Sequence, residues 1–168
     1  DPPIMYKWFL DIFIVDALIG NWDRHNGNWG FLYNNATDEI KLAPVYDCGS
    51  CLFPQASEEI MKNTLEDPEE RNLRVFEIPL SGIKINGKKI RYFDFISSLQ
   101  NTDCNQALKR ILARIDLIKI NKIIDETPFI SDLQKTFYKT ILKERKEHIL
   151  NFSYEKLCKS KSSLSNEN

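Results

Sequence analysis

Asp23 and Asn28 stand five positions apart in the polar stretch Asn21-Trp22-Asp23-Arg24-His25-Asn26-Gly27-Asn28, and Asp47 follows in Tyr46-Asp47-Cys48-Gly49. Carboxylates and an amide oxygen are hard donors of the kind that hold magnesium. An Asp can also accept a hydrogen bond from a substrate hydroxyl and so orient it. Together these groups suit phosphoryl transfer, which asks for an in-line nucleophile and neutralised charge rather than covalent chemistry by the protein. An Asp and an Asn at this spacing also arise by chance in turns. The second Asp, with Gly49-Ser50 behind it, makes the set specific.

The elements around these residues must bring them to one place. Residues 4–19 read as a buried helix, with Trp8, Phe9, Ile12, Phe13 and Val15 on its apolar side and Lys7 and Asp11 one turn apart on another face. Gly20 and Asn21 end it. The site loop turns at Asn26-Gly27. A strand over 29–33, a turn over 34–38 and a return strand over 39–43 then form a hairpin, which Pro44 stops. That hairpin carries the chain back, so Asp47 returns to the loop.

Beyond the site the pattern is mostly helical. The acidic segment 57–71, divided by Pro68, predicts a short helix and then a mobile loop. Its carboxylates suit a solvated face or, more sharply, a docking site for a basic substrate segment. Weak strands are expected at 75–78 and 83–85, with a turn at Asn86-Gly87. Asp103 is the expected N-cap of a helix reaching Leu112, and Ser131 that of a long helix from Asp132 to about Asn151. Trp22 and Trp29 are expected to anchor the core, and residues 143–147 to form an exposed mixed-charge face. The Ser/Lys/Asn-rich segment 159–168 is expected to be disordered. The fold class expected is mainly α with a small β-hairpin (α+β), as one domain over 1–158.

Bulk composition narrows the function classes. The 168 residues are 42% hydrophobic and 28% charged, enough for one core without staples. With 23 basic and 24 acidic residues the net charge is −1, which argues against direct nucleic-acid binding. Four cysteines are too few for a disulfide framework, and the spacing Cys48-Gly49-Ser50-Cys51 lacks the second pair of a zinc site. Lys7, Asp11 and Asp16 interrupt the apolar run 6–19, so it does not read as a membrane span. No membrane association is expected, and the cytoplasm is the expected location.

The two motifs resemble those of a known family. Asp16-Ala17-Leu18-Ile19-Gly20-Asn21-Trp22-Asp23-Arg24-His25-Asn26-Gly27-Asn28-Trp29-Gly30-Phe31 looks like the catalytic-loop region of HipA-like serine/threonine kinases. Lys41-Leu42-Ala43-Pro44-Val45-Tyr46-Asp47-Cys48-Gly49-Ser50 looks like the metal-binding segment that follows it there. The helical remainder is similar to the protein-kinase-like C-terminal lobe of that family. The resemblance implies a catalytic loop over 21–30 and a metal-binding segment over 45–50. It implies Asp23 as the catalytic aspartate, Asn28 and Asp47 as ligands of Mg²⁺ beside ATP, and a protein substrate bearing Ser or Thr. It also implies a helix-turn-helix antitoxin-type partner, because many members are toxins. His25 matches a common histidine of that loop and is carried as a candidate catalytic residue. It could donate a hydrogen bond to a substrate or phosphate, or pin the loop through the backbone. Arg24 could reach a phosphate or pair with an acidic neighbour.

A phosphate-covering loop and a strand-borne lysine, which a kinase also needs, are not among these residues. The chain therefore reads as a C-terminal lobe cut from a longer protein, with little activity expected of it alone. Two other readings use the same residues. One is a catalytically silent, kinase-like binding or regulatory module. The other is a lipid or small-molecule kinase sharing the loop, since Asp-Arg-His-x-x-Asn also resembles phosphoinositide kinases.

Overall fold

The computed structural model describes residues 2–165. Its centre is helix α1 (Pro2–Ile19), which is apolar on nearly every side and therefore buried by neighbours on several faces. Phe13, Ile14, Ala17 and Leu18 meet Tyr92, Ile96, Leu108, Ile149 and Leu150 in one continuous core. The helix ends in a Schellman motif. Gly20 takes a φ of +63° and the Asn21 N–H donates to the Asp16 carbonyl at 3.0 Å. That reversal sets the direction in which the site loop leaves the core.

After the loop, β1 (Phe31–Asn34) and β2 (Glu39–Leu42) pair antiparallel, with Phe31 opposite Leu42 and Asn34 opposite Glu39. This is the expected hairpin, shifted by two residues at its start. It stands out from the core, with Leu32, Tyr33 and Ile40 exposed.

Helices α2 (Glu58–Glu66) and α3 (Pro68–Asn72) follow, and α3 runs into a π-helical turn over Leu73–Glu77. Here two expectations fail. No loop follows Pro68, because proline at the first helical position starts a new helix, capped by Asp67 through Glu69 N–H at 2.8 Å. Nor is there a strand at 75–78: Val75 and Phe76 have strand propensity, but packing against the helical core decides their conformation. The strand expected near 83–85 is β3 (Lys84–Ile85), and past the expected turn at Asn86-Gly87 it pairs antiparallel with β4 (Lys88–Lys89), a return strand not expected from sequence.

The remainder is α4 (Tyr92–Ser98), α5 (Thr102–Leu112), α6 (Leu117–Glu126), α7 (Asp132–Arg145) and α8 (Phe152–Ser165). Asn101 rather than Asp103 caps α5, accepting from Cys104 N–H at 2.8 Å. Ser131 and Gln134 form the capping box of α7. A π-helical turn over Lys146–Asn151 joins α7 to α8, so helix continues through residues 159–165 where disorder was expected. Residues 166–168 of that segment lie outside the described residues. Among the described residues no helix is long and apolar enough to cross a membrane.

Arg145 overturns the expected exposed face at 143–147. It is 1% exposed, and its guanidinium donates to the carbonyls of Ala17 at 2.7 Å, Arg74 at 2.8 Å and Val75 at 2.9 Å. Burial pushes its pKa down to about 10, so it stays protonated at neutral pH. Its Cζ also lies 5.8 Å from the centre of the Tyr92 ring. This one side chain ties α1 and the π-helical turn to α7. On the other side of α1, Asp11 binds Arg110 of α5 at 2.7 Å.

Candidate active site

The site begins with a carboxylate in an apolar helix. Asp16 is 1% exposed on α1, and a buried charge needs a partner. Arg24 supplies it in bidentate form, Nε to Oδ2 at 2.9 Å and Nη2 to Oδ1 at 2.9 Å. The carboxylate's hydrogen bonds hold the guanidinium well above its ordinary pKa. Asn21 Nδ2 adds a third bond to Asp16 Oδ1 at 3.0 Å.

Arg24 then reaches outward. Its Nη1 donates to the carbonyls of Asn28 and Tyr46, each at 3.0 Å, and its Nη2 lies 3.7 Å from Cys48 Sγ. One guanidinium thus joins α1, the loop and the segment beyond the hairpin. Tyr46 Oη reinforces the junction by donating to the Gly27 carbonyl at 3.1 Å. Of the two roles open to Arg24, the structure shows pairing with an acid.

The loop is further fixed by its own side chains. His25 Nδ1 accepts from Gly27 N–H at 3.0 Å, and His25 N–H donates to Asn28 Oδ1 at 3.0 Å. These reciprocal bonds cap the short 3₁₀ turn Asn26–Asn28. Asn28 is buried, and its Nδ2 donates to Asp47 Oδ2. Asp47 is exposed, at a φ of +57°. Asp23 is also exposed; its N–H donates to Asn21 Oδ1 at 3.1 Å. The structure therefore brings Asn28 and Asp47 into contact, places His25 against Asn28, and leaves the Asp23 carboxylate at the solvent edge of the same loop.

Three contributors were missed at the level of sequence. Asp16 carried a signal, since a carboxylate within a buried apolar helix calls for a buried cation. Tyr92, whose Oη donates to the Asn21 carbonyl, carried none, nor did Gly82. A Cβ on Gly82 would lie 2.3 Å from the Arg24 carbonyl oxygen, so only glycine lets that segment back onto the loop. Trp22, expected in the core, is 44% exposed, whereas Trp29 packs against Trp8 in a tilted pair with ring centres 6.0 Å apart.

All four cysteines are free, and among the described residues no three His, Cys, Asp or Glu side chains group as a metal site. Burial pushes the Cys51 thiol up to about 12.

No protein-family model matches the chain. The chain is 46% identical over 155 residues to the serine/threonine-protein kinase CtkA of Helicobacter pylori (strain J99), a match covering 92% of this chain and 48% of CtkA. It also superposes on the crystal structure of a Helicobacter pylori proinflammatory kinase CtkA with a TM-score of 0.91 at 44% identity, covering 96% of this chain and 59% of that one. The chain thus spans about half the length of the curated relative it matches. Over that shared region it has the mainly helical fold of a serine/threonine-protein kinase.

Proposed function

We propose that this chain is the catalytic C-terminal lobe of an ATP- and Mg²⁺-dependent serine/threonine protein kinase of HipA-like type. The observation that carries this reading is the contact between Asn28 and Asp47, nineteen residues apart, with Arg24 bridging the carbonyls of Asn28 and Tyr46 behind them. The similarity to CtkA over nearly the whole chain supports it.

The residues present fit a magnesium ion. Asn28 Oδ1 keeps a second lone pair beside its bond to His25 N–H, and Asp47 is exposed with a further oxygen available. Magnesium is often held by one or two carboxylates together with substrate phosphates, so a site without three clustered acids is suited to it. When bound, the ion would neutralise charge on the β- and γ-phosphates of ATP.

The chain's own residues have distinct tasks. Asp23 accepts the hydrogen bond of a Ser or Thr hydroxyl and aims its oxygen. His25 positions the loop by accepting from Gly27 N–H, which holds Asn28 in place. Arg24 fixes the distance between the loop and Asp47 and, being spent on Asp16 and two carbonyls, does not bind phosphate.

Asp47→Asn tests the reading. In the full-length protein it should raise the Mg²⁺ concentration needed for phosphate transfer from radiolabelled ATP and lower the maximal rate. An unchanged Mg²⁺ dependence would remove Asp47 from the metal site.

A further inference from the structure

Asp23 differs from Asn28 and Asp47 in that nothing holds its side chain. Asn28 is bonded to His25 and to Asp47. The Asp23 carboxylate makes no hydrogen bond and no ion pair among the described residues. A carboxylate that aims a hydroxyl oxygen needs a fixed direction, because a misplacement of about 1 Å can cost about 10²-fold in rate. With no partner of its own, it takes that direction from the backbone. The two peptides flanking the Asp23 Cα decide where its Cβ points.

The peptide after Asp23 is packed in place. Gly82 backs onto it, where a Cβ would lie 2.9 Å from Arg24 N and 2.3 Å from the Arg24 carbonyl oxygen. The Arg24 side chain is itself anchored on Asp16. The peptide before Asp23 has less around it. Trp22 is half open to solvent and gives it no core anchor. The Trp22 carbonyl receives a long contact, 3.5 Å, from Nζ at the tip of the exposed Lys89. The firmer bond on that peptide is at its other end, where Asp23 N–H donates to Asn21 Oδ1 at 3.1 Å.

Asn21 is placed and oriented to make that bond. It is 1% exposed and follows Gly20 at the end of α1. Its N–H donates to the Asp16 carbonyl at 3.0 Å, and its own carbonyl accepts from Tyr92 Oη. Its Nδ2 donates to Asp16 Oδ1 at 3.0 Å. An ionised carboxylate only accepts, so the amide must face Asp16 with its nitrogen and turn its oxygen toward Asp23. We infer that Asn21 is the positioning residue for Asp23: its side-chain oxygen holds the Asp23 N–H and so sets the direction in which the carboxylate meets a substrate hydroxyl. The inference rests on the phosphotransfer reading for the role of Asp23. Asp16 is then a common footing for both halves of the site. Arg24 carries its position to the carbonyls of Asn28 and Tyr46, beside the proposed magnesium ligands, and Asn21 carries it to Asp23. Damage at Asn21 should therefore reach the hydroxyl half and spare the magnesium half.

The test is a matched pair of variants in the full-length protein. Asn21→Ser and Asn21→Ala differ by one oxygen. Both lose the amide that faces Asp16, whereas a serine hydroxyl still accepts from an N–H two residues on. Asn21→Thr and Asn21→Val repeat the comparison with a fuller side chain, should the smaller pair unfold. Transfer is read with radiolabelled ATP and a degenerate peptide mixture centred on Ser or Thr. Asn21→Ala and Asn21→Val should lower kcat about tenfold or more, leaving the KM for ATP and the Mg²⁺ dependence unchanged. Asn21→Ser and Asn21→Thr should recover most of kcat, although thermal stability falls alike within each pair. Hydrogen exchange at the Asp23 amide, which needs no transfer, should quicken about fivefold in Asn21→Ala and Asn21→Val over their partners. Equal kcat within a pair, or a Mg²⁺ requirement that rises as kcat falls, would overturn the inference while Asp23→Asn still abolished transfer. Unaltered transfer in Asp23→Asn, or none by the unaltered protein, would instead sink the phosphotransfer reading, and the exchange pattern would then mark Asn21 as a structural cap alone.

Discussion

Arg24 and Asp16 form a bidentate ion pair in the core, 4% and 1% exposed, with two contacts of 2.9 Å between them. Removing one partner leaves the other charge buried without its counter-ion. Arg24→Met or Asp16→Leu should therefore destabilise the chain by about 3–5 kcal/mol. The double variant should lose less than the sum of the two. Urea unfolding of the three variants measures this, and additive losses would mean that the pair does not act as a unit.

Gly82 bears on the same loop from outside. Gly82→Ala places a Cβ against the Arg24 backbone, where a carbonyl oxygen would lie 2.3 Å away. Relief requires the loop or the Gly82 segment to move, at about 1–3 kcal/mol. Hydrogen exchange should speed up selectively at the amides of residues 23–28. Unchanged protection there would show that the Gly82 side yields instead.

His25 separates a positioning role from a chemical one. Its Nδ1 is occupied by Gly27 N–H. His25→Asn supplies another side-chain acceptor favoured at such caps and should retain most transfer, whereas His25→Ala should lose loop order and activity together. Equal loss in both variants would point to imidazole chemistry.

Cys104 links stability to alkaline pH. Burial pushes its thiol from 9.0 up to about 12. The folded state therefore keeps this proton where the unfolded chain loses it. The stability it contributes is whole below about pH 9 and is lost as pH rises toward about 12. Cys104→Ala should flatten the fall in unfolding free energy between pH 9 and pH 11, within that interval. An identical slope in both proteins would contradict the burial argument.

Local signals made much of this molecule legible. The apolar run of α1 and the Gly20-Asn21 stop predict its helix and its end. Turn residues between two short runs predict β1 and β2, and the spacing of Asp23, Asn28 and Asp47 marks the candidate site. What escaped was decided by distant partners. Arg145 reads as one charge among five, yet it is buried because carbonyls 70, 71 and 128 residues away receive it. Val75 and Phe76 read as strand, but the helical core claims them in a π-helical turn. Trp22 reads as core because it is large and aromatic, while its position beside the loop leaves it half open to solvent. Arg24 offered two readings, and only its geometry beside Asp16 separates them.

The most direct test of the account is Asp23→Asn in the full-length protein, assayed for transfer from radiolabelled ATP and, separately, for Mg²⁺–ATP binding by calorimetry. The Asp23 carboxylate is exposed at the loop edge and carries none of the loop's internal bonds through its side chain among the described residues. The substitution should leave the fold and ATP affinity in place while lowering transfer by about 10²-fold or more. Phosphorylation at the unaltered rate would contradict the assignment of this loop as a phosphotransfer site.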